Sequence, residues 1–499
     1  MIFIKLICVS FFVLFTYFNL CAYTCSIENK LKINLDFKEE IRYEYWDTFD
    51  TGATGKDEYY SFSSSKMRFG IGVNTAKIDT YFQLHWSQLF NIPDKAQFGA
   101  GALYYKFNHS QNAGAFAISQ LWINIKPTEN IKLKLGRFFY SSGGEAGNPK
   151  DPSIKWVKKT RVSGRLINPC EWPRAGRSFD GGVLSYENNS INLTFSYFMP
   201  TPGGFYLHRN DSTANGYSSY DIKLATTVLS LKDTNTYIPN LDAQIFYYYY
   251  NDNRKINTTT SAPYTAEILG LGDSEIHTLG GHLIYVYPTN SGKFDFFLWG
   301  AYQWGSWGRS FSGNDEVLDH EAYALAIEGG YMFEKLSFKP WFRIGYFYGS
   351  GDDNPYDKTH NTFFMLIPTV RLISLTPSYT LMNTNYWMTQ IILQPHKKIL
   401  IRSDYHIVKL SEREDFWYLS SGMMRPDDLS YLYKSSYNKK DLLKMWDLSI
   451  FIKDIYKYKG LKIDFDFYFS HIWGDDVIRK NYPKDNNLNL IYGEFRISF

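Results

Sequence analysis

The side chains best suited to chemistry are basic, and many of them crowd into one segment. Positions 141–178 hold Lys155, Lys158, Lys159, Arg161, Arg165, Arg174 and Arg177, against only Glu145, Asp151 and Glu171. A guanidinium is a planar fork of N–H donors that engages a carboxylate through two bonds at once. Arginine at this density therefore suits a uronate or another organic acid. Gly143, Gly144, Gly147 and Pro149 permit sharp turns where the segment begins, so it is expected to fold inward as a constriction. The alternative is a basic external loop facing anionic lipopolysaccharide. Hydrolytic chemistry has thinner support. Gly272-Asp273-Ser274 with His277 offers a Ser/His pair, and Asp352-Asp353 offers adjacent carboxylates. A nucleophile and its base must approach to about 2.6–3.2 Å, and these are ordinary loop residues. No Cys/His group has metal-ligand spacing, and no cofactor or metal is expected. Whether Cys25 pairs with Cys170 stays open.

Strands must position these groups. From Leu31 to Tyr45 the odd positions are apolar except Glu39, and the even positions read Lys32, Asn34, Asp36, Lys38, Glu40, Arg42, Glu44. Side chains alternate across a strand, so one face is oily and the other charged. The pattern returns around Met67–Val73, Ile191–Tyr197, Leu336–Tyr348 and Leu461–Phe469. Eighteen such segments follow one another, separated alternately by short and long gaps. Short gaps include Thr75–Lys77 and Asn188–Asn189; the long ones are 47–63, 91–114, 141–178, 200–218, 252–275, 306–318, 350–382, 410–443 and 474–485. An outer-membrane barrel has short periplasmic turns and longer external loops, whereas a soluble sandwich needs no such alternation. Aromatics gather where strands meet long loops: Tyr45-Trp46, Phe139-Tyr140, Tyr247–Tyr250, Trp304, Tyr346, Tyr348 and Trp473. Rings of this kind belong at the membrane–water boundary.

Composition agrees. A net charge of +3, from 53 basic and 50 acidic residues, argues against nucleic-acid binding. A mean hydropathy of -0.33 excludes a polytopic helical membrane protein, and aromatics reach 18%. Residues 1–22 have the layout of a secretory signal, with Lys5 ahead of an apolar run and cleavage expected after Ala22. The expectation is an all-β chain: a closed antiparallel transmembrane barrel over residues 23–499, of 18 strands and without a plug domain. Barrels of about 16–18 strands enclose a water-filled lumen. Parity turns Arg42, Arg68, Arg343 and Arg402 inward, among a mixed set of charges with a slight basic excess.

The segment from Leu133 to Val183 resembles the alginate export porin family. The resemblance rests on Leu135-Gly136-Arg137, the long basic loop, and Trp172-Pro-Arg-Ala-Gly176-Arg177-Ser178-Phe179-Asp180. A second echo is Phe363-Phe364-Met-Leu-Ile-Pro368, with Asn383 and Pro395. The resemblance implies a monomeric 18-stranded barrel in the bacterial outer membrane, with an arginine-lined pore passing an anionic polysaccharide or small acid. Its expected pore-lining, anion-binding residues are Arg42, Arg68, Arg161, Arg165, Arg174, Arg177, Asp180, Arg343 and Arg402. Parity with Leu133 and Leu135 points Arg137 outward unless Gly136 marks a bulge. The terminal Phe495-Arg-Ile-Ser-Phe499 looks like the assembly signal read by the barrel-assembly machinery. Expected partners are thus the anionic solute, outer-membrane lipid and lipopolysaccharide, and that machinery. Competing readings are a general diffusion porin, a barrel enzyme or an adhesin.

Overall fold

In the computed structural model, residues 25–27, 31–209, 219–254, 274–308, 317–369, 373–419 and 433–499 are described. The signal segment lies outside these residues. The backbone forms one sheet of 20 strands, of which Cys25–Ile27 and Thr359–His360 are short additions, the latter pairing in parallel with Asp319 and His320 while all other pairs are antiparallel. The other eighteen are β1 Leu31–Asp47, β2 Tyr59–Asn74, β3 Ile78–Phe90, β4 Ala113–Ile125, β5 Ile131–Phe138 and β6 Phe179–Glu187. Next come β7 Ile191–Pro200, β8 Ile222–Leu231, β9 Leu241–Asp252, β10 Ser274–Pro288, β11 Lys293–Trp307 and β12 Leu318–Met332. The last six are β13 Trp341–Gly349, β14 Thr384–His396, β15 Ile399–Leu410, β16 Asp441–Tyr458, β17 Leu461–Gly474 and β18 Asn487–Ser498. Each pairs with its neighbours in sequence, and β18 returns to β1 from Lys38↔Ser498 to Asp47↔Asn489. The ladder closes, which removes every edge that lipid would leave unpaired.

Alternation sets the two faces. In β12, Tyr323, Leu325 and Ile327 point outward and are 51%, 44% and 42% exposed, while Ala322, Ala324 and Ala326 point inward and are buried. A girdle of rings lies on the outer surface, where His277 stacks on Trp304 at 5.4 Å and Tyr346 meets Trp387 at 4.8 Å. Some expected girdle members face the other way. Trp46, Tyr248 and Tyr250 are buried inside, because adjacent residues of a strand alternate. Tyr140 lies beyond β5 and packs on Phe198 at 4.7 Å.

Two strand starts move by five residues from those expected. The β12–β13 turn extends through Pro340, with Phe338 at φ 64° and Lys339 at φ 43°. Proline cannot donate to the ladder, so Leu336, Phe338 and Lys339 belong to a turn and not to a wall. β2 starts at Tyr59, because its pairing with β1 continues through Ser61 and Ser63 to Asp47↔Tyr59.

At the long-loop end, Phe49, Phe98, Trp417 and Tyr482 from four loops form an aromatic cap, with Phe49 4.9 Å from Phe98 and 5.3 Å from Tyr482. Loop 91–112 carries helix α1 (Gly99–Asn108). The seventh loop (350–383) is tied to the eighth through Asp415. The Asp415 carboxylate accepts from the Asp352 N–H at 3.0 Å, the Thr362 hydroxyl at 2.6 Å and the Tyr418 hydroxyl at 2.8 Å.

Two expected outcomes test this architecture. Leu325→Arg puts a cation on the lipid face near mid-strand and should destabilise the barrel by about 2–4 kcal/mol. Urea titration in lipid vesicles measures this, and an unchanged midpoint would contradict the outward assignment. Burial raises the Asp352 and Asp415 carboxyls from 3.8 to about 7 and about 6, against opposing hydrogen bonds. The folded loops therefore bind these protons more tightly than unfolded chain does, and their contact weakens as pH rises from about 4 towards 7. Hydrogen-exchange protection over 351–362, taken relative to the intrinsic rate at each pH, should be greater at pH 5 than at pH 8, and Asp415→Asn should flatten the difference.

Candidate functional site

The third long loop (139–178) runs inside the barrel. Gly143 and Gly147 take left-handed turns at φ 81° and 74°. At Gly143 an added Cβ would lie 2.5 Å from Val162, so no larger residue fits where the loop folds back. Helix α2 (Pro152–Val157) starts on Asp151, whose carboxylate accepts from the Ser153 and Ile154 N–H groups at 2.7 and 3.1 Å. The same Asp151 meets Lys293, the first residue of β11, at 3.1 Å. The Lys150 and Asp151 N–H groups donate to Asp233, just past β8, at 2.7 and 2.9 Å. Both anchors lie at the short-turn end, so the loop crosses the height of the lumen. A π-helical turn (Lys158–Val162) carries it back. There it pairs with the seventh loop: Ile367 donates to Leu166 at 2.9 Å, and Asn168 donates to Ile367 at 2.8 Å. Phe363–Ile367 are buried with it. The wall makes room with Ala301, Ala322, Ala324 and Ala326.

The expected site residues fall into separate groups. Around Glu328, Arg161 binds at 2.9 Å and Arg343 at 2.7 Å, and Arg343 also holds Asp295 at 2.8 Å. Arg165 lies beside them, donating to the Arg161 carbonyl and standing 4.8 Å over Trp299. Around Glu494, Arg42 binds at 2.7 Å and Arg174 at 3.2 Å, and Arg42 stacks 4.2 Å over Trp172. Next to them, Arg68 grips Glu171 through two bonds, of 2.5 and 2.8 Å. Burial alone would raise the Glu171 carboxyl; the charges of Arg68 and Lys66 outweigh it and hold the group at about 2. Arg402 stands apart, paired with Asp404. Arg177 is higher in the lumen, against Gly204 of the fourth loop.

Asp180 requires a correction. It leaves the inward set because β6 turns it to the outer face, opposite Met199. There Arg137 holds it with two bonds of 2.7 Å, and the Tyr220 hydroxyl donates at 2.9 Å. Gly136 does not interrupt the register, so Arg137 also points outward. The Ser274/His277 pair is likewise divided: Ser274 is buried inside, while His277 stacks with outward Trp304. Cys170 is a buried free thiol.

Two features were not expected from sequence. Arg209, from the fourth loop, donates to the Ala175 carbonyl at 2.7 Å and lies within the same buried layer as His85 and Ser178. Burial, then the charge of Arg68, press its guanidinium down to about 9. Burial also lowers Arg165 and Arg177. Among the described residues no carboxylate pairs with Arg165, Arg177 or Arg209, and each keeps a buried guanidinium nitrogen without an acceptor. The second feature is a basic cluster near the short-turn end. Lys155 and Lys159 are exposed there. Burial and the charges of Arg496, Lys453, Lys155 and Lys38 lower Lys159.

Comparison with known proteins places this geometry. Among solved structures, the outer membrane protein OpdK from Pseudomonas aeruginosa is similar at a TM-score of 0.53 and 7% identity, covering 93% of this chain and 98% of that one. OccK9 (OpdG) from the same organism gives 0.54 at 10% identity, over 93% and 98% of the two chains. P. aeruginosa OccK2 (OpdF), solved in complex with glucuronate, gives 0.51 at 9% identity over 94% and 97%. A comparison with curated protein sequences found no match. The alginate export family matches residues 30–430. A closed barrel with an apolar belt and a match over most of its sequence define the chain: it belongs to the alginate export family and is a channel protein of the bacterial outer membrane.

Proposed function

We propose that the channel passes anionic solutes and that its substrates are carboxylates of the uronate class, free or polymeric. The observation that carries this reading is the surplus of cation inside the barrel. Arg165, Arg177 and Arg209 are buried without a carboxylate partner among the described residues and retain nitrogens without acceptors. An uncompensated buried charge is costly, and a passing carboxylate offsets that cost while it is bound. Lys155 and Lys159 are exposed, and Lys38, Lys453 and Arg496 add to their field. Such a field concentrates anions at the entrance. The ion-paired arginines around Glu328 and Glu494 hold the loop in place, while the unpaired ones offer transient sites. Binding must be strong enough to admit a solute and weak enough to release it. The glucuronate in the OccK2 complex is a carboxylate of this class.

Bilayer recordings under a KCl gradient provide the test. The wild-type reversal potential should favour chloride, and glucuronate should reduce chloride current by competing for the path. Lys155→Gln combined with Lys159→Gln should bring the chloride-to-potassium permeability ratio towards unity by about 2–5-fold. A wild-type channel without preference, indifferent to glucuronate, would favour a general diffusion porin instead.

A further inference from the structure

Three inward side chains on β15 and β16 form a group that the proposed anion path does not use. Asp404 and Asp447 stand directly opposite one another in the ladder, and His406 follows Asp404 on the same face. One donor atom from each lies within 4.8 Å of the other two. Burial is nearly complete, at 2% exposure for both aspartates and 0% for His406. Yet both ring nitrogens of His406 lack a hydrogen-bond partner, and the buried Asp447 carboxylate has only the neighbouring hydroxyls of Ser374, Tyr468 and Ser470 beside it. Buried polar atoms are rarely left this way, and an ion is one of the few things that satisfies several at once. Like charges directly opposite in a ladder also destabilise it.

We propose that Asp404, His406 and Asp447 bind one divalent transition-metal ion of the zinc class. The donor set decides the class. Calcium and magnesium prefer all-oxygen shells, whereas imidazole nitrogen with carboxylate oxygen suits zinc and its neighbours. Asp404 remains available as a ligand. Gln390 donates to its Oδ1 at 2.5 Å and Arg402 holds Oδ2, but each carboxylate oxygen has a second lone pair. These two contacts also orient it, as outer partners of metal ligands do. Arg402 offsets the charge of Asp404, leaving the Asp447 carboxylate to face the cation. Three protein ligands leave a fourth position for water or a solute carboxylate.

The seventh loop covers the site. Arg402 donates to the Ile373 carbonyl at 2.9 Å, and the Ser374 and Thr376 hydroxyls lie 3.2 and 3.1 Å from the Tyr468 hydroxyl. A bound ion would therefore fix the wall beneath this loop. Sequence spacing does not reveal the set, because two ligands lie two residues apart on one strand and the third reaches them only through strand pairing.

The test uses untagged, refolded full-length protein, stripped with a chelator and dialysed against zinc alone. Mass spectrometry should find one zinc per chain. His406→Gln and Asp447→Asn should each weaken retention by about tenfold or more, whereas His471→Gln should retain it. Heat-dependent gel mobility confirms that each variant is a folded barrel. Cobalt in place of zinc should give a visible absorption band that His406→Gln abolishes. No zinc above background in the folded wild type, as when the two aspartates merely share a proton, would overturn the site. So would retention undiminished in both variants. Metal content is read independently of ion selectivity, so this proposal and the anion-channel reading fail separately.

Discussion

Hydrocarbon offers the backbone no hydrogen-bond partner, and the architecture depends on meeting that constraint. The decisive contact is the seam where the last strand finds the first. Ten residue pairs from Lys38↔Ser498 to Asp47↔Asn489 close it. The side chains reinforce it from inside, since Arg42 of β1 binds Glu494 of β18 across the join. Closure then divides every strand between two solvents. Apolar residues turn outward because lipid accepts them, and most ionic residues turn inward to water, the outward Arg137–Asp180 pair being held together by its own two bonds.

The interior is not a plain water column ringed by charge. Part of the wall is apolar or small, with Phe297, Trp299, Phe347 and the alanines of β12 facing inward and buried. They form the bed on which the third and seventh loops rest. Those loops carry their own backbone pairing between Leu166–Asn168 and Ile367, so that part of their buried backbone is satisfied without the wall. The wall supplies carboxylates instead, and Glu328 and Glu494 clamp the loop through Arg161 and Arg174.

The barrel was legible because period-two patterning is local: each strand announces its oily face without reference to any other. Boundaries suffered where that signal was ambiguous. The serines of early β2 read as loop, and Leu336 and Phe338 kept the alternation while Pro340 prevented pairing. The basic loop was legible through its composition, and its entry glycines matched the turns they make. Its depth was not, because the Asp151–Lys293 and Asp151–Asp233 anchors join residues remote in sequence. The infolded seventh loop gave no periodic signal at all. Asp180 was misplaced because the motif around it was read as one functional unit, whereas strand parity divides that unit between two faces. Glu328 and Arg209 were missed because each gains meaning only from a partner on another element.

The central claim is that the third loop threads the lumen and presents its lysines to the solute path. Thiol modification measures this directly. With Lys159→Cys in a background of Cys25→Ser and Cys170→Ser, an anionic methanethiosulfonate should react about tenfold faster than a cationic one, drawn by the surrounding lysines and arginine. Each modification should also alter single-channel conductance. Equal rates for the two reagents, or complete reaction with no change in conductance, would contradict the account.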